Sequence, residues 1–321
     1  MSKMPVTAER AARLASQFLE QAQDSDGAWR DFQLLPGRAE SWTTAYVAAR
    51  VLQAQRCWPY FLMDHCLRRA ARFLSASRQP GGWSYNQRCD PDSDTTAQVI
   101  LYLSRAGEPV TVGDYAALAK FQLADGHFAT YKNCGARPGW SRGHAEVTTV
   151  GMQAMSQILD PRHDILRRAE RSLREHINGR HAAESYWWVS RNYLAREFLM
   201  LARSYRGAPQ LFFGSSDAVG DGSCFDRGLA LELAALIGDD KTVLVAALEE
   251  LLRLQLADGS WPVQPILRVT DPRACSFDDP LFHQSALAAD DRRTFTTATI
   301  LGAISTACAR WPGTTTREIP A

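Results

Sequence analysis

The sequence predicts an all-α protein in which six inner helices and about six outer helices close into a toroid of repeated pairs. Three features lead there. A turn followed by an aromatic residue recurs along the chain, a Thr-Thr pair recurs at the start of apolar helical stretches, and no stretch alternates long enough to compete as a strand.

The turn is read as Gln23-Asp24-Ser25-Asp26-Gly27-Ala28-Trp29, Gly81-Gly82-Trp83, Gln122-Leu123-Ala124-Asp125-Gly126-His127-Phe128 and Gln255-Leu256-Ala257-Asp258-Gly259-Ser260-Trp261. Asp-Gly and Gly-Gly stop a helix, and the following aromatic packs back on it. The threonine pairs are Thr43-Thr44, Thr95-Thr96, Thr148-Thr149 and Thr296-Thr297, the first three 52 and 53 residues apart, room for two helices and two loops.

Taken in order, Met1 to Glu20 reads as an amphipathic helix with early charges, unlike a signal peptide. Leu67 to Ser75 and Thr242 to Leu256 carry charge on one side and read as outer helices; Val99 to Leu103 and Thr297 to Ile304 lack that stripe and read as inner ones. Degenerate inner copies run from Tyr186-Trp187-Trp188 to Ala202 and from Cys224 to Ile237. With only the short glycine-dense stretch Gly214 to Gly222 as a break, residues 1–321 read as one domain.

Composition narrows the function. A chain that is 45% hydrophobic and 22% charged buries a large core, and a formal charge of +1, from 36 basic and 35 acidic residues, provides no field for nucleic acid. No apolar run is long enough to span a bilayer. The seven cysteines (Cys57, Cys66, Cys89, Cys134, Cys224, Cys275, Cys308) are scattered without a CxxC, as expected of reduced thiols in a cytoplasmic protein.

The repeated QxxDGxW turn resembles the QW-type repeat of squalene-hopene cyclases and their prenyltransferase relatives. That resemblance covers nearly the whole chain and implies an (α/α)6 barrel. The segment Asp90-Pro91-Asp92-Ser93-Asp94-Thr95-Thr96-Ala97 is similar to the DxDD motif of class II terpene cyclases, closer still to its DxDTT variant. In those enzymes the middle Asp is the general acid, which here is Asp94. The resemblance implies protonation-initiated cyclisation of a hydrophobic isoprenoid, with no cofactor required and magnesium only if the substrate carries a diphosphate.

The repeat bears on Asp94 independently. Thr-Thr occurs in four units, so Thr95 and Thr96 read chiefly as a helix start whose hydroxyls cap backbone amides. The residue before each pair is Trp42, Asp94, Val147 or Phe295, so the second copy alone places a carboxyl there. A dry cavity would keep such a carboxyl protonated, Asp92 beside it would titrate with it, and hydrogen bonds from Thr95 or from His144 would steady the carboxylate left after transfer. The competing reading is that Asp92 or Asp94 only N-caps the inner helix.

A carbocation also needs aromatic walls. Trp42, Tyr46, Trp187, Trp188, Tyr193, Phe225 and Phe295 stand at inner-helix mouths, each with core packing as its alternative. Arg88, Arg191 and Arg227 are candidates to meet a diphosphate.

A zinc-dependent prenyltransferase would use Asp221, Cys224 and His283, but the spacing departs from that family's. Asp278-Asp279-Pro280 and Asp290-Asp291 are the nearest approaches to a magnesium-binding aspartate-rich helix, and Gly220-Asp221-Gly222 lacks a phosphate loop's context. We therefore expect no metal site. A catalytically silent toroid binding a lipid or a protein is the alternative from another class. A single barrel leaves its cavity to be closed by its own end, by a homodimer or by a partner subunit, and a lipid substrate is compatible with peripheral membrane contact.

Overall fold

The computed structural model describes residues 4–61, 63–132, 135–205 and 222–310. Twelve α-helices carry it: α1 (Met4–Ala22), α2 (Ser41–Cys57), α3 (Asp64–Ala76), α4 (Ser93–Ala106), α5 (Val112–Ala119), α6 (Ala145–Met155), α7 (Asp164–Ile177), α8 (Arg191–Ser204), α9 (Cys224–Ile237), α10 (Lys241–Leu254), α11 (Pro280–His283) and α12 (Thr294–Cys308).

The inner ring closes on itself: α2 packs on α4, α4 on α6, α6 on α8, α8 on α9, α9 on α12, and α12 on α2. The expected six inner helices are all there. Outside them lie α1, α3, α5, α7 and α10, five outer helices among the described residues.

Patterning explains the sorting. In α7 only Leu166, Ala169, Ser172 and Leu173 are buried, the three-and-four spacing of one helical stripe. In α12 every residue except Thr306 is buried, because it is enclosed on all sides.

The recurring turns join neighbouring outer helices. The side-chain amide of Gln23 donates to its own turn at Gly27 O and to Cys66 O on α3, both at 2.9 Å. Gln122 does the same to Gly126 O and to Ile165 O on α7. Gln255 donates to Ala11 O at 2.9 Å, which ties the end of α10 to α1 and closes the outer ring. Each turn glycine must be glycine: Gly27, Gly126 and Gly259 have φ of +97°, +98° and +89°, and a Cβ there would stand 2.5 Å or less from a carbonyl oxygen of the next outer helix. Trp29, Trp83 and Trp261 each donate an indole N–H to a carbonyl of the preceding helix, at 2.6 to 2.8 Å.

The threonines differ from expectation in two ways. Their hydroxyls serve the turns as well as their own helix starts: Thr44, Thr96 and Thr148 accept from the backbone N–H of Trp29, Trp83 and Phe128 at 2.9, 3.0 and 2.9 Å, and Thr148 also donates to His144 O at 2.7 Å. Thr44 and Thr96 are second in their pairs, whereas Thr148 is first, so the third copy is offset by one residue from the alignment by pairs.

Two antiparallel ribbons interrupt the helices, β1 (Asp31–Leu34) with β2 (Gly37–Ala39) and β3 (Pro265–Val269) with β4 (Ala286–Ala289). At three to five residues they are too short to show as sequence alternation. Beneath the helix starts the ring interior is filled by an ionic network: Glu232 accepts from Arg50 at 2.7 Å and from Arg196 at 3.3 Å, and Arg196 pairs with Glu197 at 2.5 Å. Cys134 lies outside the described residues, and the other six cysteines are free thiols.

Candidate active site

A cavity of about 1270 Å³ opens over the starts of the inner helices. Trp42 from α2, Asp94 and Thr95 from α4, and Trp187 and Trp188 ahead of α8 contribute to its wall. Leu267 of β3, Ala288 of β4 and the segment carrying Tyr131, Arg137 and Trp140 add to the lining of the cavity, which is open on one side.

Asp92 and Asp94 divide the two readings between them. Asp92 is the N-cap of α4 and 3% exposed; its carboxyl accepts from the Thr95 amide at 2.7 Å and the Thr95 hydroxyl at 2.8 Å. Asp94, the second residue of the helix, is half-buried on the cavity wall, and among the described residues no donor reaches its carboxyl. Burial pushes Asp92 up to about 7, held there by the bonds from Thr95. Burial raises Asp94 well above the usual carboxylate range, and Asp92, Glu146 and Glu197 add to the rise.

Two expected supports fall elsewhere. Thr95 gives both its bonds to Asp92. His144 does stand at the start of α6, but no hydrogen bond among the described residues joins it to Asp94. Its Nδ1 meets the Thr130 hydroxyl at 3.2 Å and its ring stacks on Tyr186 at 3.9 Å. That hydroxyl also accepts the Trp187 indole N–H at 2.9 Å, and burial lowers the imidazole to about 3.

The caps also correct the ring comparison. Glu40, Asp92, His144, Ser190, Ser223 and Arg293 precede the six inner helices. The second residues are then Trp42, Asp94, Glu146, Asn192, Phe225 and Phe295, so Glu146 rather than Val147 stands where Asp94 does. Alignment by threonine pairs hid it. Glu146 is 3% exposed; Oε1 accepts from the Trp187 backbone N–H at 2.9 Å, and among the described residues Oε2 has no hydrogen-bond partner.

Of the seven aromatic candidates, Trp42, Trp187 and Trp188 face the cavity. Tyr46, Tyr193, Phe225 and Phe295 form the layer behind. Tyr46 stacks on Phe295 at 3.9 Å, Trp188 on Tyr193 at 4.3 Å and on Phe225 at 5.2 Å. Because these contacts join residues from the starts of α2, α8, α9 and α12, they show those starts gathered at one end of the ring.

Arg88 lines the cavity, whereas Arg191 and Arg227 do not and pair instead with Glu184 and Glu250. Tyr85, Tyr131, Arg137, Trp140 and Arg268 line it too and were not foreseen. The long loop between Phe128 and Thr148 was the sequence signal for Tyr131, Arg137 and Trp140; Tyr85 and Arg268 had none. Asp279 caps α11, Asp290 accepts from the Thr296 amide at 3.0 Å, and Asp291 pairs with Arg38. Asp221 lies outside the described residues, and Cys224 and His283 do not meet as a metal-ligand set. Among the described residues such a set is formed by Glu20, His65 and Cys66, between α1 and α3 and away from the cavity.

No protein-family model matches the sequence, and no curated protein matches it either. Solved structures do. The type II terpene cyclase MstE from Scytonema, in complex with its substrate geranylgeranyl dihydroxybenzoate, superimposes with a TM-score of 0.77 at 22% identity, over 96% of this chain and 99% of that one. The chain has the type II terpene cyclase fold. A protein from Actinoplanes matches with a TM-score of 0.76 at 26% identity, over 94% of this chain and 99% of its own. The ent-copalyl diphosphate synthase of Streptomyces platensis matches with a TM-score of 0.57 at 14% identity, over 83% of this chain and 50% of its own. The resemblance read from the QW turns and the DxDTT segment thus agrees with the fold. No helix among the described residues is long and apolar enough to cross a membrane.

Proposed function

We propose that the chain catalyses class II cyclisation of a linear isoprenoid or prenylated metabolite, with Asp94 as the general acid. A single observation carries this. Asp94 presents to an aromatic-walled cavity a carboxyl that no donor among the described residues reaches, and its surroundings shift it toward the protonated form. That variants of the structural neighbour MstE have solved structures with the substrate geranylgeranyl dihydroxybenzoate and with the product merosterolic acid A supports the reading.

In the proposed reaction the Asp94 O–H bond breaks, its proton forms a C–H bond at one carbon of the terminal alkene, and a tertiary cation remains at the other. Asp94 is left as a carboxylate. Successive alkenes add to the cation, closing rings, and the last cation is discharged by proton loss or by water. Electrons balance without an oxidant, so no cofactor is required; a diphosphate substrate would bring magnesium with it. Trp42, Trp187 and Trp188 offer ring faces to the migrating charge and no nucleophile to trap it. Asp92 serves as the cap that aims the helix start, and residues 1–321 act as a single cytoplasmic domain.

The test is incubation with geranyl, farnesyl and geranylgeranyl diphosphates, squalene and geranylgeranyl dihydroxybenzoate, with Asp94→Asn alongside. Cyclised product from the wild type and none from the variant is expected. Equal turnover would remove Asp94 from the role, and saturable binding without product would identify a binding toroid instead.

A further inference from the structure

The proposed chemistry says nothing of what the far end of the substrate carries, but the charges lining the cavity do. Asp92 and Asp94 are held toward their neutral forms, and Asp291 is matched by Arg38 at 2.5 Å. Three arginines remain, each from a segment outside the helix ring: Arg88 ahead of α4, Arg137 between α5 and α6, and Arg268 on β3. None of the three is in an ion pair among the described residues, and the remaining rim carboxylate, Asp90, is exposed and unpaired as well.

Arg268 is the most telling. It is half-buried; Nη1 donates to Ser185 O at 2.6 Å and Tyr186 O at 3.4 Å, and the guanidinium lies over the Phe282 ring at 4.4 Å. Burial disfavours its charge, and Glu146 and Glu184 offset that only from beyond contact distance. A guanidinium has five N–H donors, so donors are left over. Arg137 is likewise held in place without a counter-charge, its guanidinium 5.9 Å from the Tyr131 ring centre and 5.5 Å from that of Trp140. Fixing the partly desolvated Arg268 on a cavity wall without an anion in contact costs free energy that a hydrocarbon would not return.

We propose that Arg268 and Arg137, with Arg88 at the rim, hold a negatively charged head group of the substrate, a carboxylate or a phosphate. The inference rests on the cyclase reading for the name substrate, but the site itself is an anion-binding one. With the head fixed by the arginines, the apolar chain lies along the tryptophans toward Asp94. A cavity of about 1270 Å³ exceeds the roughly 300–1,000 Å³ that houses a drug-sized ligand, leaving room for a long chain and its head together. A wholly apolar substrate such as squalene would leave the three cations unmatched.

Binding separates this from the chemistry. The full chain carrying Asp94→Asn is titrated, by tryptophan fluorescence, with geranylgeranyl diphosphate against geranylgeraniol and with geranylgeranyl dihydroxybenzoate against its methyl ester. At least one anion should bind about tenfold more tightly than its neutral counterpart, the effect of one charge-assisted contact. Arg268→Gln and Arg137→Gln, made separately, should each shrink that preference and leave the neutral ligand's affinity unchanged, which also reports an intact fold. The anion whose preference falls identifies carboxylate or phosphate. Equal affinity within both pairs, or a preference untouched by both variants, overturns the inference even if the wild type cyclises a neutral polyene. A clear anion preference in a protein that forms no product would keep the head-group site and remove the cyclase reading.

Discussion

Thr95 donates both its backbone N–H and its hydroxyl to Asp92, at 2.7 and 2.8 Å, and neither to Asp94. Two carboxyls two residues apart thereby take different work, one closing the helix start and the other free on the cavity wall.

The first consequence concerns stability and activity together. Asp94→Asn should abolish cyclisation while melting at the same temperature as the wild type or higher. The amide removes an acid crowded by Asp92, Glu146 and Glu197 and held without donors. Thermal melts at pH 8 beside product assays would show it, and a large fall in melting temperature would contradict it.

Asp92 predicts a pH dependence. Its folded pKa of about 7 lies above the ordinary 3.8, so the stability it contributes is complete below pH 3.8 and is lost as the pH rises through 7. Asparagine caps a helix as well as aspartate does. Urea unfolding of Asp92→Asn should therefore lose less stability than the wild type between pH 4 and pH 8, the difference being roughly a few kcal/mol. Glu232 acts oppositely: Arg50 and Arg196 outweigh its burial and lower it to about 2, so its contribution is present above pH 4.5 and fades as the pH falls through 2.

Glu232→Gln should destabilise the protein by about 3–5 kcal/mol at pH 7, because Arg50 and Arg196 would remain buried without their shared counter-charge. Denaturant midpoints would register it, and a loss below 1 kcal/mol would show that the remaining Glu197 suffices.

Closure of the outer ring can be weighed at Gln255. Gln255→Ala removes the donor to Ala11 O and Gly259 O and should cost about 1–3 kcal/mol. Gly259→Ala should cost more, since its Cβ would lie 2.3 Å from Leu14 O at a φ of +89°. Both variants should cyclise normally well below their melting temperatures, because neither lines the cavity.

Trp188 stacks on Tyr193, Phe225 and Phe295 behind the wall it presents. Trp188→Leu should lower turnover and shift the products toward those with fewer rings, as a cation loses a ring face that would steady it. Gas chromatography with mass detection would resolve the pattern.

The sequence by itself determined the repeat, the sorting of helices into inner and outer rings, and Asp94 at the mouth of the second inner helix. Each is a local property: a helical stripe, a glycine stop, a carboxyl two residues after a cap. Only the tertiary structure decided which carboxyl caps and which faces the cavity, because that depends on the direction of side chains two residues apart. It alone set Glu146 level with Asp94, since the ring is registered by caps and by hydrogen bonds from Trp29, Trp83 and Phe128 rather than by the threonine pairs. It alone gathered Arg88, Arg137 and Arg268, from segments far apart in the chain, around one cavity, because the convergence of loops over a closed ring is set by packing between distant repeats and leaves no periodic trace.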